Sequence, residues 1–376
     1  MRIAVLVPVR IGGSGGLMKH LRKVVSRMLQ KKVVERITIV APTRVLNGLN
    51  LPGIDVHLVS HNDYRSGFRE MGEFVEAGEY DVVLCTIARP ISIFRRPVVY
   101  MVRNIEPIQK ASYRMTLQWR TRLWALRREQ TIACRRATCI IALSEYVRFE
   151  VCRQFHIQPE KVYTVYHGFD PNETVVASKP ELFTTEGGFI FSAGSMVPYR
   201  GYEDIIRALG LLQANGVNVP PVVLAGPEVG YGRSYERSLR SLAKSLKVEH
   251  FIFWAGSLES AEMTWCFQNA WLFVQTSRAE SFSNIQVEAM GHGCVCVSCD
   301  HPPMPEILSD AAIYYPTGDA AALAARIKMV SQMNKNEIEL RQMSALQRAS
   351  FFSWDRTADQ TVKVLERAVE SYNGSV

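Results

Sequence analysis

Two glutamates, Glu280 and Glu288, stand eight positions apart in SRAESFSNIQVEAMG (277–291), between the apolar run WLFVQTS and a stretch of small residues. The run predicts a strand ending near Ser277, and the small residues predict a helix starting around Ser283 or Asn284. Glu280 then lies in the loop and Glu288 in the first turns of the helix. A helix start presents the backbone amides of Phe282, Ser283 and Asn284 to an anion, which suits a pyrophosphate. An ionised carboxylate accepts from two hydroxyls at once, so one glutamate can reach forward to whatever the phosphate carries and the other back to a ribose diol. Taken singly, each is more simply read as solvated or as a partner of the helix dipole. Their combination points to a nucleotide.

Three further loops offer matching chemistry. In FSAGSMVPYRGYEDIIRAL, Gly194 and Gly201 loosen the backbone, and Arg200 precedes a predicted helix, where a guanidinium can fork onto phosphate oxygens. VLAGPEVGYG ends another strand in a glycine and proline loop at Gly226, facing the same edge. Near the amino terminus, VRIGGSGGLMKH places Gly12, Gly13, Gly15 and Gly16 between a strand and a helix that carries His20. That spacing does not follow the dinucleotide fingerprint, and a plain tight turn explains it equally well. A lone helical histidine such as His20 is more often structural than reactive.

These loops belong to a regular alternation. RIAVLVPV, RITIVAPT, DVHLVS, DVVLCTI, PVVYMVR, TCIIALS and KVYTVYHG read as strands, and LMKHLRKVVSRMLQ repeats Leu17, Leu21, Val24, Val25 and Met28 at helical spacing. A second series, GFIFSAGS, PVVLAGP, FIFWAGS, WLFVQTS, GCVCVSC and AAIYYPT, follows the turn-rich stretch DPNETVVASKPELFTTEGG. The fold class is therefore α/β, with two successive doubly wound Rossmann-like domains whose ligands settle at the carboxyl ends of the strands. The boundaries expected are 1–170 for the first domain, 171–188 for a linker and 189–354 for the second.

With 376 residues, 44 basic against 36 acidic and a net charge of +8, the chain suits two cores and an anionic ligand or surface. The first apolar run is too short for a signal peptide or membrane span, so nothing in it directs export. The eight cysteines sit in apolar runs as small core residues, and Cys294, Cys296 and Cys299 lack the histidine spacing of a metal finger.

Taken together, E-x7-E, the GSMVPYRG loop, AMGHGCVCVSCD with PPMPEIL, the glycine loop ending in His20, CIIALSEYVR, VYTVYHGFD and FFSWDRTADQTVKVLE resemble the retaining glycosyltransferases of family four, on the GT-B fold. They occur in family order over nearly the whole chain. The resemblance implies two parallel sheets facing a central cleft and a final helix, about 355–376, crossing back onto the first domain. It implies a UDP- or GDP-sugar donor in the second domain, with Glu288 on the ribose hydroxyls and Glu280 close to the donor sugar. Phe282, Ser283, Asn284, Gly194, Ser195 and Gly226 then surround the donor, and Arg200 takes the place of the family's lysine that neutralises the leaving pyrophosphate. A saccharide or lipid-linked acceptor is expected against the first domain, near Gly15, Gly16, His20, Arg103 and Asn104. No Asp-x-Asp pair occurs, and no cofactor or metal is expected, since positioned cations and amides can replace a metal; in the mechanism the resemblance implies, the leaving phosphate itself helps deprotonate the acceptor, so no protein base is needed.

Two departures stand out. Ser195 occupies the place of a second phosphate-loop arginine, and Arg103-Asn104 follows PVVYMVR where many members have a His-Asp pair. A catalytically silent sugar-nucleotide-binding subunit and a sugar-nucleotide epimerase of the same fold are the alternatives to a transferase of surface polysaccharide or glycolipid synthesis. The arginine-rich stretch RMTLQWRTRLWALRREQTIACRR (114–136) predicts an amphipathic helix suited to an anionic leaflet, unless Trp119, Leu123 and Leu126 simply face the core. A cytoplasmic protein peripheral to the inner face of the cell membrane is expected, with no nucleic-acid partner, since no binding motif accompanies the basic residues.

Overall fold

A computed structural model of the chain describes residues 1–8, 15–42, 51–60, 64–93, 95–110, 112–113, 115–170, 175–181, 188–218, 220–229 and 232–374. Gly12, Gly13, Arg114 and most of the expected linker, 171–174 and 182–187, lie outside the described residues. The chain divides into two compact units. The first comprises Met1–Gln109, Thr116–Gly168 and Ser353–Val376, the second Lys110–Met115 and Phe169–Phe352.

In the first unit, seven strands form one sheet in the order β3-β2-β1-β4-β5-β6-β7. They are β1 (Arg2–Leu6), β2 (Arg36–Pro42), β3 (Asp55–Val59), β4 (Val82–Cys85), β5 (Val98–Val102), β6 (Cys139–Ala142) and β7 (Val162–Thr164). Every pairing is parallel. Parallel strands need crossover connections that cover both sheet faces, which is why β1, β4, β5 and β6 read as continuous apolar runs, whereas the edge strand β3, DVHLV, alternates and is largely exposed. Leu6, Val40, Val83, Tyr100, Ile140 and Phe155 accordingly meet in one core.

The helix that carries Leu17, Leu21, Val24, Val25 and Met28 buries all five. It begins as an α-helix (Gly15–His20), passes through a π-helical turn (Leu21–Val25) and ends as an α-helix (Ser26–Leu29). The last helix of the chain, Trp354–Asn373, packs within this first unit, burying Trp354, Ala358, Val362, Leu365 and Ala368. Gly168 marks the close approach: a Cβ there would lie 2.1 Å from the Trp354 amide nitrogen, so only glycine fits.

The second unit holds six parallel strands in the order β10-β9-β8-β11-β12-β13. They are β8 (Phe189–Ala193), β9 (Val222–Ala225), β10 (Ile252–Gly256), β11 (Ala270–Gln275), β12 (Cys296–Cys299) and β13 (Ala312–Tyr315). Phe191, Phe267 and Phe273 pack ring to ring, with centroids 5.4 to 5.9 Å apart, at the core of this sheet. All thirteen runs that read as strands are strands, and the α/β fold class of two Rossmann-like units holds. The cysteines are free thiols, buried except for the partly exposed Cys152.

Candidate active site

In the second unit the strand order reverses between β8 and β11, so the loops leaving these two strands open side by side at the switch point where ligands of such sheets bind. The β8 loop runs from Gly194 and Ser195 through a 3₁₀ turn (Pro198–Arg200) to Gly201, which starts the helix Tyr202–Ala214. Gly201 adopts φ 67°, and a Cβ on it would lie 2.5 Å from the Thr276 carbonyl oxygen of the β11 loop. Gly226, at φ 149° after β9, sits so tightly that a Cβ would lie 1.8 Å from the Gly194 carbonyl oxygen. The three loops therefore touch backbone to backbone, which is the physical use of glycine here.

Hydrogen bonds lock the β11 loop to the β8 loop. Thr276 Oγ1 donates to the Arg200 carbonyl at 2.6 Å, and the Arg278 amide donates to the Tyr199 carbonyl at 2.7 Å. The buried Arg278 guanidinium reaches back to Glu203 at 2.5 Å and Asp204 at 2.7 Å, and the Tyr235 hydroxyl donates to the other Glu203 oxygen at 2.5 Å. Two acids in the first turn also favour the helix they start.

This scaffold brings Arg200 and Glu280 into contact: the guanidinium Nη1 donates to Glu280 Oε1. Gln275, the last residue of β11, donates to the same oxygen at 3.3 Å and to Ser283 Oγ at 3.2 Å. Among the described residues nothing donates to Glu280 Oε2. Ser283 adopts a left-handed conformation (φ 76°, ψ 65°) and starts the helix Asn284–Gly291. Glu288 lies on that helix, partly buried, and Phe282 is buried against Phe352 with ring centroids 5.3 Å apart. A pocket of about 500 Å³ continues along the same sheet edge, lined by Met196, Gly226, Trp254, Gly256 and Ser257.

The electrostatics follow from burial. Burial alone would weaken the positive charge of Arg200, but Glu280 and the neighbouring Tyr199 and Tyr202 outweigh it, so its pKa rises. Burial lifts the Asp204 carboxyl to about 6 against the opposing pull of Arg278. His301, following β12, is lowered by burial, while its Nδ1 contact with the Pro302 carbonyl at 2.6 Å and the charges of Asp300 and Glu280 pull the other way. Among the described residues no three of His, Cys, Asp and Glu are grouped as a metal ion would need.

The remaining predicted residues gather in the first unit. Gly15 and Gly16 open the first helix, and the Gly16 carbonyl accepts from Arg103 Nη2 at 2.9 Å. Arg103 Nη1 approaches His167 Nε2 at 3.2 Å; a guanidinium only donates, so that nitrogen of His167 accepts. The guanidinium is thus engaged by its own domain, and burial lowers its pKa to about 10. His20 is buried, its ring 5.1 Å from His167 and 6.3 Å from Trp354, and burial with the nearby Arg103 and His167 holds it well below the usual histidine value. Asn104 is exposed; its Oδ1 accepts from the Glu106 amide and its carbonyl from Gln130.

Two sequence profiles match the chain in tandem: "Glycosyltransferase Family 4" over residues 60–173 and "Glycosyl transferases group 1" over residues 177–345. The chain belongs to glycosyltransferase family four. This member is 23% identical over 331 residues to a D-inositol 3-phosphate glycosyltransferase of Saccharomonospora viridis, covering 83% of this chain and 76% of the relative. It is 18% identical over 258 residues to the O-antigen chain mannosyltransferase RfbU of Salmonella typhimurium, covering 67% and 65%. Its fold matches Anabaena Alr3699/HepE, solved with UDP-glucose, at a TM-score of 0.77, with 19% identity and coverage of 97% and 99%. The GT-B fold is thereby established.

Several residues of the site escaped sequence reasoning. Gln275 is a polar residue closing an apolar strand, a visible signal that carried no role. Glu203 and Asp204 look like ordinary helix-start acids, and their pairing with Arg278, 74 residues from Asp204, has no local signature.

Proposed function

We propose that this glycosyltransferase moves a sugar from a UDP- or GDP-sugar to a saccharide or lipid-linked acceptor with retention of anomeric configuration and without a metal ion. The observation that carries the reading is the Arg200–Glu280 pair at the β8/β11 switch point, beside the amino end of Asn284–Gly291. The diphosphate lies against that helix end and Arg200, where backbone amides and a guanidinium replace the charge of a metal. Glu288 accepts from the ribose hydroxyls, and the nucleoside extends toward the pocket beyond Gly226. Glu280 Oε2 faces the donor sugar and stabilises positive charge on it.

In the reaction, the bond from the anomeric carbon to the donor phosphate oxygen breaks, and an acceptor hydroxyl oxygen bonds to the same face of that carbon. Its proton passes to the departing phosphate oxygen, so no protein base is required. The acceptor is assigned to the first unit, on the side of the Gly16 turn, which Arg103 braces through the Gly16 carbonyl and behind which His20 lies buried.

The names of the relatives support a glycan or phosphorylated polyol acceptor. The helix Leu117–Arg136 supports a membrane surface as a partner: Trp119 and Leu123 are buried, while Leu117, Trp124, Arg120, Arg122, Arg127 and Arg128 are exposed. Among the described residues no helix is long and apolar enough to cross a membrane; the contact proposed for this helix is peripheral, on the cytoplasmic face.

Incubation with radiolabelled UDP- and GDP-sugars, with and without EDTA and with membranes as acceptor, tests the reading. Transfer of label to lipid or saccharide, with the anomeric configuration of the donor kept in the product and EDTA without effect, supports it. Release of an epimerised sugar nucleotide, or donor binding without turnover, refutes it.

A further inference from the structure

We infer that Gln275 is a positioning residue that aims the Glu280 carboxylate and ties it to the donor-phosphate helix. The inference rests on the proposed function above and deepens it. Gln275 closes β11, is 1% exposed, and offers one carboxamide nitrogen to two acceptors, Glu280 Oε1 at 3.3 Å and Ser283 Oγ at 3.2 Å.

Each of these contacts has a physical consequence. Arg200 and Gln275 converge on the same oxygen of Glu280, from different strands' loops, and two donors on one oxygen fix the plane of the carboxylate. That leaves Oε2 as the oxygen turned to the donor sugar. Ser283 occupies a left-handed conformation that a side chain adopts only when its surroundings hold it. The bond from Gln275 supplies part of that hold, at the residue that sets the direction of Asn284–Gly291. One buried amide therefore registers the catalytic carboxylate against the helix end that grips the phosphate. A leucine of similar size would fill the same space and lose both bonds.

Two variants test this. Gln275→Leu removes both bonds, and its kcat for transfer falls roughly tenfold or more while the donor KM stays within about twofold, because a charge-assisted bond acting on the reacting group is lost. Gln275→Glu, nearly isosteric, sets a second carboxylate beside Glu280, and the acid limb of its kcat profile moves to higher pH. A merely structural amide would not lower kcat while sparing the donor KM. Thermal unfolding confirms that each variant is native; should Gln275→Leu fail to fold, the pH profile of Gln275→Glu decides alone. Native variants with unchanged kcat and an unmoved acid limb overturn the positioning role. An unaltered chain that turns over no nucleotide-sugar overturns the proposed function instead, whatever the variants do.

Discussion

Replacing Arg200 with methionine removes the positive half of a pair whose side chains are only 16% and 13% exposed. A surface pair would be worth almost nothing, but here solvent cannot screen the survivor. Glu280 is left largely buried with Gln275 as its remaining donor, and since stranding one member of a fully buried pair costs about 3 to 5 kcal/mol, the loss of stability here lies at about 3 kcal/mol. Transition-state stabilisation falls separately, because the leaving diphosphate loses a charge-assisted contact worth about 1.5 to 3 kcal/mol, or roughly 10- to 150-fold in kcat/KM. The two losses separate in the double variant R200M/E280Q. It recovers most of the stability, since no bare charge remains, yet regains none of the activity. Initial rates of sugar transfer against donor concentration, paired with denaturant unfolding of the same preparations, provide the assay. A folded R200M enzyme with kcat/KM within twofold of the unaltered one would refute the role given to Arg200.

Other outcomes follow from the same geometry. Gly226→Ala drives a Cβ to 1.8 Å from the Gly194 carbonyl at a φ of 149°, so it separates the β8 and β9 loops; isothermal titration should show nucleotide binding largely lost. Asp204 has a folded pKa of about 6, above its ordinary value of 3.8, so its contribution to stability is greatest below about pH 4 and falls as pH rises to about 6. The unfolding free energy of Asp204→Asn relative to the unaltered chain should therefore shift in the variant's favour by about 3 kcal/mol between about pH 2 and pH 7. Replacing Arg120, Arg122, Arg127 and Arg128 by alanine removes about 1 kcal/mol of attraction each, so partitioning onto phosphatidylglycerol vesicles should weaken by roughly a thousandfold while lipid-free turnover is kept. Vesicle sedimentation reads that change directly.

The fold was legible because parallel strands covered on both faces leave β-branched, mostly apolar runs between helical patterns, and all thirteen such runs are strands, the alternating edge strand β3 included. Leu17 to Met28 announced their helix by spacing alone, though nothing local foretold the π turn at Leu21–Val25. At the site, Glu280, Glu288 and Arg200 were readable from residue type and position beside a predicted helix start. The companions that hold them were not. Arg278 with Glu203 and Asp204, and Arg103 with Gly16 and His167, pair residues 64 to 87 positions apart, and such contacts are decided by strand order rather than by spacing. Sequence could treat Arg103 only as a positive charge in a loop, whereas the folded domain spends that guanidinium on the carbonyl of its own glycine turn. Helix Leu117–Arg136 was ambiguous for a related reason: the same apolar residues serve a core face and a surface face, and only the fold divides Trp119 from Trp124.

A crystal structure with UDP or GDP bound would show whether the donor sits at the β8/β11 switch point. The distal phosphate is expected within hydrogen-bonding distance of Arg200 and the amides at the start of Asn284–Gly291, with the ribose hydroxyls on Glu288. A nucleotide seated away from the β8/β11 loops, with Arg200 and Glu280 turned from it, would remove the proposed donor site.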